Sequence, residues 1–172
     1  MAQVTTATFR RLDPSAIQPT YGTQQSACFD FSACLPIGRV VSGYNRNNEL
    51  RVAEVTDQGL LIWPGSRYLI PTGWAVACPT NYSLRLYSRS GLALKKGLVL
   101  INGEGVVDED YRHEVCALIA NVSGVACEIT HGMRICQGEF VTKELVEMTF
   151  TEMPDALWFN TERTGGFGST GV

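Results

Sequence analysis

Short hydrophobic segments separated by turn residues make up most of the chain. Within them apolar and polar positions alternate with a period of about two, which is typical of β-strands that bury one face. The alternation predicts strands at residues 5–11, 26–33, 39–44, 49–55, 60–63, 67–70, 73–78, 82–87, 98–101, 115–122, 125–130 and 133–141. This pattern favours an all-β domain.

Strong turn signals mark two places in this pattern. Residues 45–48 (NRNN) lie between two predicted strands, so residues 39–61 are expected to contain a surface hairpin. Pro71 and Thr72 interrupt another apolar segment, and we expect a separate strand on either side of them.

One stretch, residues 88–97 (SRSGLALKKG), has the composition of a short helix. A serine can serve as its N-cap and Gly97 can close its C-terminus. Arg89, Ser90 and Gly91 would then lie at the helix start, where free N–H groups, the positive end of the helix dipole and a guanidinium favour phosphate. The alternative is an ordinary capped helix with a solvated arginine.

A candidate general base follows two consecutive valines. Asp108 comes directly after Val106 and Val107, so its carboxylate is expected to lie at the end of an apolar stretch, partly shielded from water and suited to accept a proton. The alternative is that residues 108–114 form an acidic surface turn.

The C-terminal segment 162–172 (ERTGGFGSTGV) cannot build a core, because four of its residues are glycine. Its exposed N–H groups and its arginine suit phosphate, and its one phenylalanine can stack on a flat ring. The alternative is a frayed chain end.

Composition narrows the classes of function. With 172 residues, 45% of them hydrophobic, the chain is long enough for one globular domain with a real core. The net charge of −3 argues against general binding to nucleic acid but not against a small anionic ligand. We find no signal-peptide pattern and no apolar run long enough to span a membrane. The six cysteines form no CxxC pair, so we expect reduced, buried thiols in a cytoplasmic protein, of a bacterial cell or of a virus-infected host cell, rather than disulfides or a metal site.

Five segments together resemble the motifs of the trimeric deoxyuridine triphosphatases (dUTP pyrophosphatases), in the order of that family. They are residues 26–31 (SACFDF), 88–93 (SRSGLA), Asn102 with 105–112 (GVVDEDYR), 134–137 (RICQ) and 163–171 (RTGGFGSTG). The resemblance implies an all-β, distorted jelly-roll or β-barrel subunit with one short helix, assembled as a homotrimer whose sites are shared between subunits. It implies a β-domain at residues 1–160 and a glycine-rich arm at residues 161–172 that closes over the active site.

The resemblance also implies a reaction, the Mg²⁺-dependent hydrolysis of dUTP to dUMP and pyrophosphate by attack of water on the α-phosphate. Such a reaction supplies dUMP for thymidylate synthesis and limits uracil in DNA. Asp108 would be the base that orients and deprotonates the water. Asp30 would lie near the metal and hold it through water, with Mg²⁺ mainly on the triphosphate.

The remaining family roles concern the substrate. Asn102 would read the uracil edge together with main-chain groups of Gly105, Val106 and Val107, and Tyr111 would pack under the deoxyribose. The residues expected at the phosphates are Arg89, Ser90, Gly91, Gln137, Arg163, Gly168 and Ser169. Phe167 would stack on the uracil.

The chain also departs from the family pattern. Cys28 stands where the first motif usually has glycine, Glu104 replaces a common proline, and His113 replaces a common glycine. Arg163 stands four residues before Phe167 rather than five, so the arm is one residue shorter. Residues 39–61 look like a surface insertion, which either binds a protein partner or only decorates the trimer.

Two other functions stay open at this stage. A related fold deaminates dCTP, but that chemistry needs a glutamate base, and the run from Asp108 to Arg112 fits the hydrolase better. The chain could also be a nucleotide-gated module that contacts another protein through residues 39–61.

Overall fold

The structure is a computed structural model, and it describes residues 5–144, 146 and 148. The predicted arm at residues 161–172, with the roles given to Arg163, Phe167, Gly168 and Ser169, lies outside the described residues. The strands are β1 (Thr8–Arg11), β2 (Thr20–Tyr21), β3 (Phe29–Ser32), β4 (Val40–Tyr44), β5 (Leu50–Glu54), β6 (Leu60–Ile62), β7 (Arg67–Ala77), β8 (Tyr82–Ser88), β9 (Leu98–Leu100), β10 (Glu104–Val107), β11 (Glu114–Asn121), β12 (Cys127–Ile129) and β13 (Arg134–Thr142). The helix α1 (Ser90–Lys96) lies between β8 and β9.

Two antiparallel sheets enclose the core. The six-stranded sheet has the order β5-β4-β7-β11-β9, with β1 also paired to β7, and the five-stranded sheet has the order β10-β8-β13-β3-β2. A third pair joins β12 to β6. The prediction of an all-β fold with one short helix is confirmed. Among the described residues, no helix is both long and apolar enough to cross a membrane.

The core forms where inward-facing side chains of the two sheets meet. Ile70 and Ile119 from one sheet and Phe31, Leu84 and Ile135 from the other are each at most 1% exposed. Removing these apolar surfaces from water is the main favourable contribution to folding. All six cysteines are free thiols. The prediction that they are buried holds for Cys34, Cys78, Cys127 and Cys136, whereas Cys28 and Cys116 are only partly buried.

The hairpin predicted around residues 45–48 is present as β4 and β5. Strand β4 also pairs with β7, through Gly43 opposite Tyr68, so the hairpin extends the six-stranded sheet. The following strand β6 is not part of this hairpin, because it pairs with β12 and buries Leu60 and Ile62.

The expectation of two strands separated by Pro71 and Thr72 is wrong, because β7 runs through both residues. Along one edge, β7 pairs first with β4 and then with β1, and Pro71 lies between these two stretches. On the other side, β7 bulges directly after Pro71, because Thr72, Gly73 and Trp74 lie opposite the single residue Val115 of β11, and the Thr72 hydroxyl donates to the Val115 carbonyl over 2.6 Å. The ladder is already irregular here, so a residue without an N–H is tolerated.

The helix boundaries correct a second expectation. Its N-cap is Arg89, which makes no side-chain capping bond, and no serine caps the helix. The hydroxyl of Ser88 instead accepts a hydrogen bond from the backbone N–H of Leu100, over 2.8 Å. Gly97 closes the helix in the left-handed conformation (φ 62°), as predicted.

Replacing Gly73 by alanine is expected to destabilise the fold by about 2–4 kcal/mol, because strain and overpacking add. Gly73 has φ +76°, and an added Cβ would lie 2.4 Å from the Cβ of Ala16 and 2.9 Å from the Sγ of Cys34. Chemical denaturation measures the free energy of unfolding. Gly124→Ala is the matched control, because a Cβ there meets nothing within 4 Å. Equal stability of the two variants would contradict the packing described here.

Candidate active site

The predicted site residues within the described part of the chain fall mainly into two pockets. One pocket, the Tyr111 pocket, has a volume of about 320 Å³, and the other, the Arg89 pocket, has about 430 Å³. Both volumes suit parts of a small organic ligand. Within residues 5–144, no residue lines both pockets.

The Tyr111 pocket collects residues that are distant in sequence. Of the predicted site residues it contains Asn102, Gly105, Val106, Val107 and Tyr111. The rest of its lining, not assigned to the site from the sequence, is formed by Leu69, Leu86, Leu100, Glu114, Val115, Cys116 and Leu118. A mostly apolar pocket with one amide side chain suits a flat ring that carries hydrogen-bonding groups on its edge.

Strand β10 gives this pocket main-chain hydrogen-bonding groups. Among the described strands it is the edge strand of its sheet and pairs only with β8, so about half of its N–H and C=O groups have no partner in a described strand. Gly105 lies opposite Leu86, and an added Cβ at Gly105 would come within 3.0 Å of the Cβ of Leu86. The glycine therefore lets β10 pack closely on β8 while its free edge stays available to a ligand.

The ring of Tyr111 is held in place by its own hydroxyl. That hydroxyl donates to the carbonyl of Glu114 over 2.9 Å, and the ring packs edge-on against His113 at 5.6 Å between centroids. Burial raises the pKa of Tyr111 above its usual value. The aromatic wall of the pocket is thus positioned before any ligand binds.

Asp108 lies just beyond β10, and its side chain is exposed. The expectation that the carboxylate is shielded within the chain is wrong, since Val107 is the last residue of β10 and takes the inward position. In the described part of the chain no hydrogen bond or ion pair engages the Asp108 carboxylate, whereas its backbone carbonyl accepts from the N–H of Tyr111 over 3.2 Å. The carboxylate is therefore available to bind a water molecule.

Glu109, the residue after Asp108, anchors the loop that carries Asp108. The Glu109 carboxylate accepts hydrogen bonds from the Lys143 ammonium, over 2.5 Å, and from the backbone N–H of Asn81, over 3.0 Å. The hydrogen bond from Lys143 is the main reason that the pKa of Glu109 lies below its usual value. Sequence reasoning gave Glu109 no role, because a contact between residues 34 positions apart leaves no local signal.

The Arg89 pocket lies between the start of α1 and strands β3 and β13. It contains five predicted residues, Asp30, Arg89, Ser90, Gly91 and Gln137. Its other lining residues are Gly22, Ser26, Ala27 and Cys28. The residues of the first, second and fourth motifs thus meet in one place.

Asp30 positions two arginines at this pocket. One carboxylate oxygen is 2.8 Å from the Nε of Arg89, and the other is 3.0 Å from a terminal nitrogen of Arg134. Arg89 also donates to the backbone carbonyl of Arg134 over 3.1 Å. Two guanidinium groups share one carboxylate, so the cluster stays net positive, and Arg89 keeps further N–H donors for an anion.

The helix start adds backbone donors to this cluster. Ser90 and Gly91 are the first two residues of α1, and N–H groups at these positions have no partner within a helix. A Cβ at Gly91 would meet nothing within 4 Å, so packing within the described chain does not require glycine there. Gln137 donates its amide to the Ser88 carbonyl over 3.1 Å, which fixes its side chain at the pocket.

Of the described carboxylates, Asp30 alone lines the Arg89 pocket. Among the described residues no group of three or more His, Cys, Asp or Glu side chains could hold a metal ion. Both oxygens of Asp30 already accept from arginine, and each oxygen keeps a second lone pair. This donor set fits a hydrated Mg²⁺ that is held mainly by a phosphate ligand.

Comparison with known proteins gives one consistent family. The dUTPase family model matches residues 55–171. The chain is 38% identical to the deoxyuridine 5'-triphosphate nucleotidohydrolase of Roseobacter denitrificans over 92% of the chain and 90% of that protein. It is 37% identical to the protein of the same name from Caulobacter vibrioides, over 90% of the chain and 85% of that protein.

Solved structures share the fold. The dUTPase of Streptococcus mutans has a TM-score of 0.62 at 25% identity, over 81% of this chain and 98% of that one. The dUTPase of Staphylococcus bacteriophage 80alpha, solved with dUPNHPP, has a TM-score of 0.72 at 21% identity, over 97% and 99%. The dUTPase of S. aureus phage phi11, described as coordinating a structural Mg(II) ion, has a TM-score of 0.65 at 20% identity, over 86% and 97%. By sequence, by fold and by the order of its motifs, the chain belongs to the dUTPase family.

Proposed function

We propose that this protein hydrolyses dUTP to dUMP and pyrophosphate by attack of water on the α-phosphate. The observation that carries the proposal is the gathering of the family's motif residues into a ring-sized, mostly apolar pocket and a separate pocket that contains Arg89, with Arg134 paired to the same carboxylate. Membership of the dUTPase family supports the same reaction. The product would supply thymidylate synthesis, and removal of dUTP would limit uracil in DNA.

Uracil would bind in the Tyr111 pocket. The Asn102 amide can accept from N3–H and donate to a ring carbonyl, and the free edge of β10 at Gly105, Val106 and Val107 offers complementary main-chain groups. A buried site built for these groups discriminates against a base with a different pattern, because its own polar groups would then lose their partners. The fixed ring of Tyr111 would pack under the sugar, where a 2'-hydroxyl would clash.

The triphosphate would bind in the Arg89 pocket. The unused donors of Arg89 and the N–H groups of Ser90 and Gly91 converge there, and Gln137 adds an amide. Asp30 limits the rotation of Arg89, so the guanidinium meets the phosphates already oriented. The arm at residues 161–172 would close over the nucleotide, with Phe167 on the uracil and with Arg163, Gly168 and Ser169 at the phosphates.

Asp108 would orient the attacking water and take its proton. Oxygen then bonds to the α-phosphorus as the bond to the bridging oxygen breaks, and pyrophosphate leaves with the bonding electrons. The link from Glu109 to Lys143 and Asn81 would hold the loop in place during this step. Shielding of Asp108, which the described residues do not provide, would come from the bound nucleotide and from a neighbouring copy.

Mg²⁺ would supply charge neutralisation on the phosphate oxygens when bound. Asp30 would hold it through water while also holding Arg89 and Arg134. This role is compatible with the hydrogen bonds that Asp30 makes and needs no all-protein metal cage.

A complete site would need more than one copy of the chain, and we propose a homotrimer. The two pockets share no lining residue, although one nucleotide must occupy both. A closed symmetric assembly can bring the Tyr111 pocket of one subunit to the Arg89 pocket of the next.

Purified protein with Mg²⁺ is expected to release pyrophosphate from dUTP at least about 10²-fold faster than from dTTP, dCTP or UTP. Asp108→Asn should lower kcat by roughly 10²–10⁴-fold, because the base is lost while the binding groups remain. A coupled pyrophosphate assay measures both. Equal rates on the four nucleotides would contradict the proposal, and ammonia release from dCTP would favour the deaminase alternative.

Gly91→Ala is expected to weaken the use of dUTP without weakening the fold. The fold should stay as stable or gain up to about 1 kcal/mol, since alanine is the better helix former and meets no neighbour. The value of kcat/KM for dUTP should fall by roughly 10- to 100-fold if phosphate approaches this backbone closely. Denaturation and steady-state kinetics give the two numbers. Unchanged kinetics would place the phosphates elsewhere.

A further inference from the structure

The six-stranded sheet has a second face with exposed apolar side chains, which the described residues 5–144 leave uncovered. Its inward residues are buried, but several residues that alternate with them are exposed. On strands β7 and β11 and just after β9, the outward positions include Leu69, Leu118 and Ile101, of which Leu69 and Ile101 are each 47% exposed. Single exposed apolar side chains are normal, whereas a continuous apolar face across several strands marks an interaction surface.

The β4–β5 hairpin continues this face. Tyr44 pairs with Arg67 of β7 and with Leu50 of β5, so this side of the hairpin faces the same way as the outward side of β7. The Arg67 guanidinium lies on this side too and covers the Tyr44 ring at 4.9 Å. The apolar residues on that side are Val40 (59% exposed), Tyr44 (40%), Leu50 (59%) and Val52 (66%). The opposite side of β4 carries Val41 and Gly43, which are buried against the subunit.

The hairpin is held firmly enough to present this side in one orientation. Arg39, just before β4, forms ion pairs with Glu114 at 3.0 Å and with Asp13 at 3.4 Å. Glu114 also accepts from the backbone N–H of Gly73 over 2.7 Å and lines the Tyr111 pocket. The base of the hairpin is therefore tied to the wall of the pocket.

The location of the Tyr111 pocket indicates which molecule covers this face. Leu69, Cys116 and Leu118 of the outward face also line the Tyr111 pocket. If a second copy completes that pocket, which rests on the proposed function, it must stand beside this face. We propose that the neighbouring copy also covers Val40, Tyr44, Leu50 and Val52, so that the hairpin is an assembly element. It extends the subunit interface outward from the active site.

A double variant on the outward side of β5, Leu50→Lys with Val52→Glu, tests this directly. It keeps the net charge and changes only exposed side chains, so each subunit should fold as before. The dissociation constant of the assembly, from sedimentation velocity over a range of protein concentrations, is expected to rise at least tenfold. Turnover of dUTP should fall in parallel at low concentration and recover at high concentration.

Arg51→Gln, an exposed change on the other side of the same strand, is the control, and it should assemble like the wild type. Circular dichroism checks that both variants are folded, and Val40→Asp gives an independent change on β4. Unchanged assembly of the Leu50/Val52 variant overturns the inference. The face would then be a binding surface for a different protein. A monomeric wild type that still hydrolyses dUTP overturns it too, without affecting the reaction. An assembled wild type that is sensitive to the variant but inactive on dUTP refutes the function instead.

Discussion

A sheet that is apolar on both faces constrains this molecule more than any other feature. One face builds the core around residues such as Ile70 and Ile119, and the other leaves Leu69 and Ile101 half in water. The described part of the chain places no second layer there, so burial of the outer face needs a partner, which we propose to be another copy. Because the Tyr111 pocket opens beside this face, the same requirement that drives assembly would also complete the active site.

A second constraint is electrostatic and belongs to the other pocket. Arg89 and Arg134 would repel each other without the Asp30 carboxylate between them, and with it they stay oriented and still net positive. The first, second and fourth motifs are thus joined by one ion cluster. An acidic protein can in this way hold a strongly anionic ligand, because the local charge differs from the net charge of −3.

Much of the fold and of the site could be predicted from the sequence. The successful predictions rest on patterns among residues that are close together in the chain. Alternation located most strands, the turn at residues 45–48 located the hairpin, and Gly97 located the end of the helix. The errors came from tertiary context. Pro71 is tolerated inside β7 because the strand changes partners there, and Asp108 is exposed because β10 ends one residue earlier.

Other features could not be predicted because they depend on pairs that are distant in sequence. Arg134 meets Asp30 across 104 positions, and Lys143 meets Glu109 across 34. The separation of the motif residues into two pockets is also a property of the folded chain, since motif order gives no distances. The roles of Arg163, Phe167, Gly168 and Ser169 lie outside the described residues and stay predictions.

The division of the site between copies is the central claim, and complementation tests it most directly. Asp108→Asn damages the half-site next to the Tyr111 pocket, and Arg89→Ala damages the other, so each variant alone should have lost most turnover. Co-assembly of the two in equal amounts should restore about a quarter of the wild-type rate, because random pairing joins two intact halves in about one site of four. A mixture that stays as inactive as its parents would mean that each chain holds a complete site.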